Sequence, residues 1–389
     1  MGEREKMQIA RTTAAFVFAS ALITLGGCSS LNPFAKTPKN PPASLVDFKQ
    51  TLNVRTAWTV TVGNSDVFVF SPVLAGDSLY AASADGTIVR INPASGQQVW
   101  RINADVRLTA GVGSDGNTVA VAGEKGIVLA FDANGKLRWK IQAPTEVLST
   151  PVVGQGQVLV RTIDNRITAY DADSGNRRWF IQRTAPALTL RNAPGITIAG
   201  PVAYAAMPGG KLLTLVLNNG APAWEVSVSD PRGATELERV ADVSGAPVLI
   251  GRDVCAASYQ GKVACFDAVN GAPRWTKELS SDVGVAVDER FVFAADEHGV
   301  VNAFSRDNGA SVWRNKQLAN RRLSAPVSFG RAVALGDGQG YIHFLSREDG
   351  AFLARVATDG SPIVATPVVA GSYVVFQTKS GQVIALAAE

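Results

Sequence analysis

The stretch DNRITAYDADSGNRRW, Asp164–Trp179, decides the fold because the chain keeps returning to it. DGTIVRINPASGQQVW ends at Trp100 and QGKVACFDAVNGAPRW ends at Trp275. Each copy reads as a turn residue, an alternating strand that closes on Asp or Asn, a second turn Gly, and a Trp four residues later. All seven tryptophans of the chain (Trp58, Trp100, Trp139, Trp179, Trp224, Trp275 and Trp313) occupy that last position. Self-similarity at this period is the signature of a ring or array of small β units, and it settles the architecture before any motif is read.

The first turn residue recurs at Gly86, Gly126, Gly210, Gly261, Gly299, Gly340 and Gly381, with Asn165 in one copy, which makes eight. The second Gly recurs only seven times, at Gly96, Gly135, Gly175, Gly220, Gly271, Gly309 and Gly350, because the eighth copy, SGQVIALAAE, stops at Glu389 before its last strand. A Trp strand without a preceding turn phrase stands at the other end, in VRTAWTV around Trp58. An N-terminal strand that completes the last unit closes a ring and leaves no open sheet edge. Upstream halves such as TPVVGQGQVLVRT and TPVVAGSYVVFQT add two more short strands per copy, here named A and B, before C and the Trp strand D. The expectation is an all-β, eight-bladed β-propeller of four-stranded antiparallel blades spanning residues 51–389. The tryptophans serve packing between blades. In the seventh copy Ala354 stands where Trp would, so that blade packs differently.

The N-terminal 50 residues are of another kind. TTAAFVFASALITL, residues 12–25, has the length of a secretory-signal core, is too short to span a bilayer, and follows Arg4, Lys6 and Arg11. Either Met1 or Met7 could serve as the start. LGGC, ending at Cys28, resembles the bacterial lipobox, which implies cleavage before Cys28 and lipid on that cysteine. The absence of Asp after Cys28 implies sorting to the outer membrane. Residues 1–27 are thus read as a signal peptide and 28–50, rich in Pro and small polar residues, as a tether. The formal net charge is only +4, without clustering, which excludes a nucleic-acid footprint.

With Cys28 lipidated, Cys255 and Cys265 remain. They lie on consecutive strands of one hairpin, DVCAASYQGKVACFD. A two-residue Gln260-Gly261 turn would pair Cys265 with Ala256 and leave two free buried thiols. A three-residue turn would pair the cysteines directly. The commonness of two-residue loops favours the first.

Catalytic chemistry is hard to find. GVGSDG, Gly111–Gly116, matches a dinucleotide fingerprint but precedes a strand, not a helix. DADSG, Asp171–Gly175, begins like a calcium loop but has Gln182 at the twelfth position and belongs to the repeat's own turn. The two histidines, His298 and His343, make no metal-ligand spacing. No catalytic residue, cofactor or metal is assigned.

The repeat is broken in one place. Trp-to-Trp distances are 38 to 42 residues except Trp179–Trp224, 45, and Trp224–Trp275, 51. The extra residues fall in two D–A connections, IQRTAPALTLRNAPG and SVSDPRGATELERVADVSG, which flank one blade and must emerge side by side on one face. Leu188, Leu190 and Arg191 in the first, and Leu237, Arg239, Val240 and Asp242 in the second, read as a contact patch.

Trp-ended repeats, a lipobox, and ALTLR (Ala187–Arg191) and TELERVADV (Thr235–Val243) in adjacent loops resemble the BamB family, propeller lipoproteins of the outer-membrane β-barrel assembly machinery. The resemblance spans essentially the whole mature chain. It implies a non-enzymatic scaffold that docks the periplasmic POTRA domains of BamA through Leu188, Leu190 and Arg191, with Arg239 and Asp242 supporting or joining them, and that assists unfolded barrel clients. The family's second Asp in this loop is Ser244 here. Two rival readings share the repeats: a propeller that binds another protein or a glycan, and a quinone-cofactor dehydrogenase, which would resemble a longer chain with a vicinal Cys pair and a calcium-binding acid cluster.

Overall fold

The computed structural model describes residues 40–190 and 194–389. Eight four-stranded sheets follow one another round a ring, each antiparallel and each in the order A-B-C-D. Blades one to seven begin at Val73, Gly113, Val152, Ile196, Val243, Val285 and Val327. The eighth takes A, B and C from Val368–Ala388 and its D strand from Val54–Thr61, which pairs antiparallel with Gln382–Ala388. Antiparallel pairing across the two chain ends closes the ring as the sequence implies, and the fold class expected from the repeat is the one observed.

Strands B and C are buried on both sides, because each blade is covered by a neighbour on either face. Leu79–Ala82, Val119–Ala122 and Val158–Val160 are all buried without alternation. D strands alternate, as Arg177–Gln182 does, because only one of their sides meets the next blade. A strands of successive blades touch each other and line the axis.

The tryptophans do what the repeat predicts. A Cβ added to Gly96, Gly175, Gly220, Gly309 or Gly350 would fall within 3 Å of the indole of Trp58, Trp139, Trp179, Trp275 or Trp313, respectively. Each ring therefore lies flat on the C–D turn of the following blade, where φ is near +70° and a side chain is excluded twice over. Six indole N–H groups donate to a carbonyl of that turn, for example Trp139 Nε1 to Ala172 at 2.9 Å and Trp313 Nε1 to Arg347 at 2.7 Å. Trp224 is the exception. The corresponding carbonyl, that of Ala268, accepts from the Tyr204 hydroxyl at 2.9 Å instead.

Two expectations need correction. Cys255 and Cys265 face each other in the B–C hairpin of blade five and form a disulfide. The loop is Tyr259-Gln260-Gly261, three residues, with the left-handed conformation at Gln260 and not at the Gly. Gly261 is needed for a different reason: a Cβ there would run into the hydroxyls of Ser258 and Ser229. The expected tether also ends earlier than residue 50. Pro42–Glu389 form one compact unit, and residues 43–52 run as a strap across blade seven. Phe48 stacks on Phe352 with ring centroids 5.2 Å apart, and Leu52 joins the core beside Leu353 and Ala354. The expected signal peptide, residues 1–27, and Cys28 lie outside the described residues.

Candidate functional site

D–A connections and B–C turns share one face of the ring. Hydrogen bonds between them repeat from blade to blade: Ala104 N–H to Gly86, Ile163 N–H to Glu146, Asn320 N–H to His298. The two long connections, residues 183–195 and 228–242, stand on this face on either side of blade four.

The second connection is itself folded. Thr235 and Glu238 form a capping box: the Glu238 carboxylate accepts the N–H groups of Ala234 and Thr235, and the Thr235 hydroxyl accepts Glu238 N–H at 3.3 Å. Those backbone donors pull the Glu238 carboxyl below its ordinary pKa. Arg239 donates to the Gly233 carbonyl at 3.1 Å and pairs with Glu236 at 3.3 Å. Val240 and Ala241 turn inward, whereas Leu237 is left 70 % exposed at the tip.

Asp242 is the hinge of the arrangement. It is only 3 % exposed, and its carboxylate accepts Leu190 N–H at 2.6 Å and Gly209 N–H at 3.1 Å. One side chain from the second connection thus fixes the backbone of the first and the B–C turn of the blade between them. Burial raises the Asp242 pKa, against the pull of these two N–H groups and of the Arg161 guanidinium. Arg161, at the end of strand B in blade three, is buried and donates to the Ala206 carbonyl at 2.6 Å; desolvation lowers its pKa to about 10, with Asp242 opposing. A cavity of about 310 Å³ lies beneath the first connection, between Leu188, Leu190, Arg161, Ile163, Pro208 and Asp242. Leu188 is 47 % exposed above it, and Leu190 is half-buried.

Of the residues singled out from sequence, Leu188, Leu190 and Asp242 come together, and Arg239 sits on the neighbouring turn. Arg191 lies outside the described residues. Asp242 lies buried, as a group that positions the two connections, rather than on the exposed surface. Arg161 and Gly209 were not anticipated. The signal for Arg161 was present: a charged residue closing VLVRT, a strand that is otherwise apolar.

The axial funnel is a second concavity, of about 270 Å³, lined by Val73, Val112, Val152, Ile196, Val248 and Val285 among others, with glycines between them. Among the described residues no three His, Cys, Asp or Glu side chains gather as metal ligands would.

Comparison with known proteins agrees with this geometry. The family model described as outer membrane protein assembly factor BamB matches residues 84–315 and 297–389. The chain is 44 % identical to the outer membrane protein assembly factor BamB of Bordetella pertussis over 95 % of each chain, and 44 % identical to that of Burkholderia pseudomallei over 96 % of this chain and 97 % of the relative. The crystal structure of BamB from Moraxella catarrhalis superposes with a TM-score of 0.78 at 25 % identity, covering 86 % of this chain and all of that one. A quinohemoprotein alcohol dehydrogenase from Comamonas testosteroni, 13 % identical with a TM-score of 0.67, shares the fold. With the family model covering most of the propeller and relatives matching almost end to end, the chain belongs to the BamB family of outer membrane protein assembly factors.

Proposed function

We propose that this protein is a scaffold subunit of the outer-membrane protein assembly machinery, lipid-anchored through Cys28 and facing the periplasm, and that it docks the POTRA domains of BamA with the face that carries the two long connections. The carrying observation is the Asp242 carboxylate bound to Leu190 N–H, which joins the two connections into one preorganised surface. Preorganisation lowers the entropy lost on docking. Leu188 and Leu237 stand exposed at the tips of two braced loops, as a small apolar hot spot with a charged rim requires. The name of the relatives supports the assembly role.

A scaffold also suits the chemistry better than the dehydrogenase reading. The funnel offers valine, isoleucine and glycine rather than acids, and the cysteine pair is ten residues apart on two strands instead of vicinal. The test is co-purification with BamA. Leu190→Ala together with Arg191→Ala should weaken recovery by roughly tenfold, a hot-spot loss of about 1.4 kcal/mol, with an unchanged melting temperature. Undiminished recovery in a folded double variant overturns the docking surface.

A further inference from the structure

The outer strand of blade three, Arg177–Gln182, departs from the repeat. The residue after each inter-blade tryptophan is polar elsewhere: Thr59, Arg101, Lys140, Glu225, Thr276 and Arg314. In blade three it is Phe180, which is 46 % exposed on the outer wall of the ring. In blades one and four the polar residue reaches back to the preceding blade. Arg101 donates to the Thr61 and Val62 carbonyls, and Glu225 pairs with Arg183 at 3.5 Å. A phenyl ring has nothing to donate there. Two guanidiniums lie over it instead, Arg166 at 5.0 Å and Arg177 at 5.1 Å from the ring centroid. A lone apolar residue on a surface needs no explanation. An exposed ring under two cations does: the other rings so covered among the described residues, Phe48, Phe291, Tyr341 and Phe352, are buried or half-buried.

The two arginines are incompletely paired. Arg166 donates to the Gln182 side chain at 2.8 Å and has Asp164 only at 3.7 Å. Arg177 is exposed and has no carboxylate partner among the described residues. A guanidinium stacked on a ring keeps its N–H edge for the fork that matches a carboxylate, and the ring beside it offers apolar area. We propose that this wall of blade three binds an acidic segment of a partner protein, with a carboxylate on Arg177 and a neighbouring apolar side chain against Phe180. The local charge decides for a protein segment over an anionic membrane. Between residues 164 and 183 four arginines face three aspartates, a surplus of one. Membrane attachment needs a cluster of several basic residues, whereas one carboxylate needs one free fork. Asp173, which pairs with Arg138, still has its side chain 87 % exposed on the same hairpin and would oppose an extended sheet of negative charge. The wall is separate from the face of the two long connections, so the inference does not rest on the docking of BamA.

The test titrates the full-length protein in detergent with a short synthetic peptide of Glu and Leu, followed by calorimetry. Binding should be seen and should weaken with added salt, and the same peptide with Lys in place of Glu should not bind. Phe180→Ala and Arg177→Ala should each lower the affinity roughly tenfold. Their melting temperatures should stay unchanged, since both side chains are exposed. Arg177→Lys keeps the charge but loses the fork, and should fall between the unaltered protein and Arg177→Ala. Absence of peptide binding overturns the proposal, and so does binding that neither alanine substitution weakens. Binding of phosphatidylglycerol vesicles that depends on Phe180, with the peptide ignored, overturns it in favour of a lipid surface. Self-association that Phe180→Glu abolishes, again with the peptide ignored, overturns it in favour of a second copy of this chain.

Discussion

Seven of the eight blade junctions are closed by a tryptophan lying on a glycine; the junction between blades seven and eight is closed by the strap. The difference has a single cause. A Trp on strand D needs the C–D turn of the next blade as its floor, and in blade eight strands C and D, Gln382–Ala388 and Val54–Thr61, are paired from distant segments and not joined by such a turn. Ala354 stands at the Trp position, and Leu52 of the strap packs beside it from outside the blade, while Phe48 stacks on Phe352 in the core between blades six and seven. The repeat and its exception are thus one rule: the aromatic is present where the turn is, and the chain supplies a substitute where the turn is missing.

The largest expected effect tests the regular junctions. Trp139 is buried, donates to the Ala172 carbonyl and covers Gly175. Trp139→Ala should cost about 3–5 kcal/mol, the usual penalty for emptying a large aromatic site, measured by denaturant unfolding. A loss no greater than that of a surface substitution would mean that the junctions are not held by these rings.

The strap's hold on blade seven should depend on charge as well as packing. Arg321→Ala leaves Asp337 buried without its cation and strands the Ala43 carbonyl, so roughly 3 kcal/mol is expected. The same cluster gives a pH dependence of fixed sign. Burial works against the Asp337 carboxylate, but hydrogen bonds from His343, Tyr341 N–H and Arg321 outweigh it and hold the pKa below its ordinary 3.8. Burial lowers His343 from 6.5 against the attraction of Asp337. In both cases the folded state binds fewer protons than the unfolded chain, so stability rises with pH through each window. On acidification it is lost first below 6.5 through His343 and then below 3.8 through Asp337. Unfolding midpoints taken from neutral pH downward should therefore fall, and His343→Gln should flatten the first part of the slope. A slope unaffected by that substitution would remove His343 from the account.

How far this contrast could be read from sequence follows from the same residues. Blade number, strand order, the ring closure and the inter-blade tryptophans were all legible, because Gly and Trp at fixed spacing report backbone conformation and close approach directly. The adjacent long connections were legible as departures from that spacing. The strap was not: ASLVDFKQ carries no turn signal and follows a Pro-rich run, so its composition looks like tether until Phe352 and Arg355 are seen to receive it. Asp242 was legible as part of the second long connection but not as a buried residue, since it is held by two backbone N–H groups that no pattern announces. The disulfide turned on one residue of loop length, which frequency of hairpin types settled the wrong way.

A smaller effect separates packing from charge at the strap. Phe48 is half-buried against Phe352 beneath Arg355. Phe48→Ala should cost about 1–2 kcal/mol from lost apolar burial, well short of Trp139→Ala, since the strap shares the load with Leu52 and two arginines. Parity between the two variants would show that this one strap contact stabilises the propeller as much as an inter-blade tryptophan does.

The smallest effect distinguishes among the tryptophans themselves. Replacing Trp139 by Phe keeps most of the ring but removes the N–H, leaving the Ala172 carbonyl without its donor, at a cost of about 1 kcal/mol beyond the change in area. Trp224→Phe should not carry that extra cost. Its Nε1 has no acceptor, and the Ala268 carbonyl keeps its bond from Tyr204. The two Phe variants, compared in one unfolding series, should therefore differ by about one hydrogen bond. If Tyr204→Phe is added to Trp224→Phe, the Ala268 carbonyl loses its donor and that pair should fall to the level of Trp139→Phe. Equal losses for the two single variants would mean that the indole N–H contributes nothing at these junctions, and that the ring's fit on glycine is the whole of what the repeat preserves.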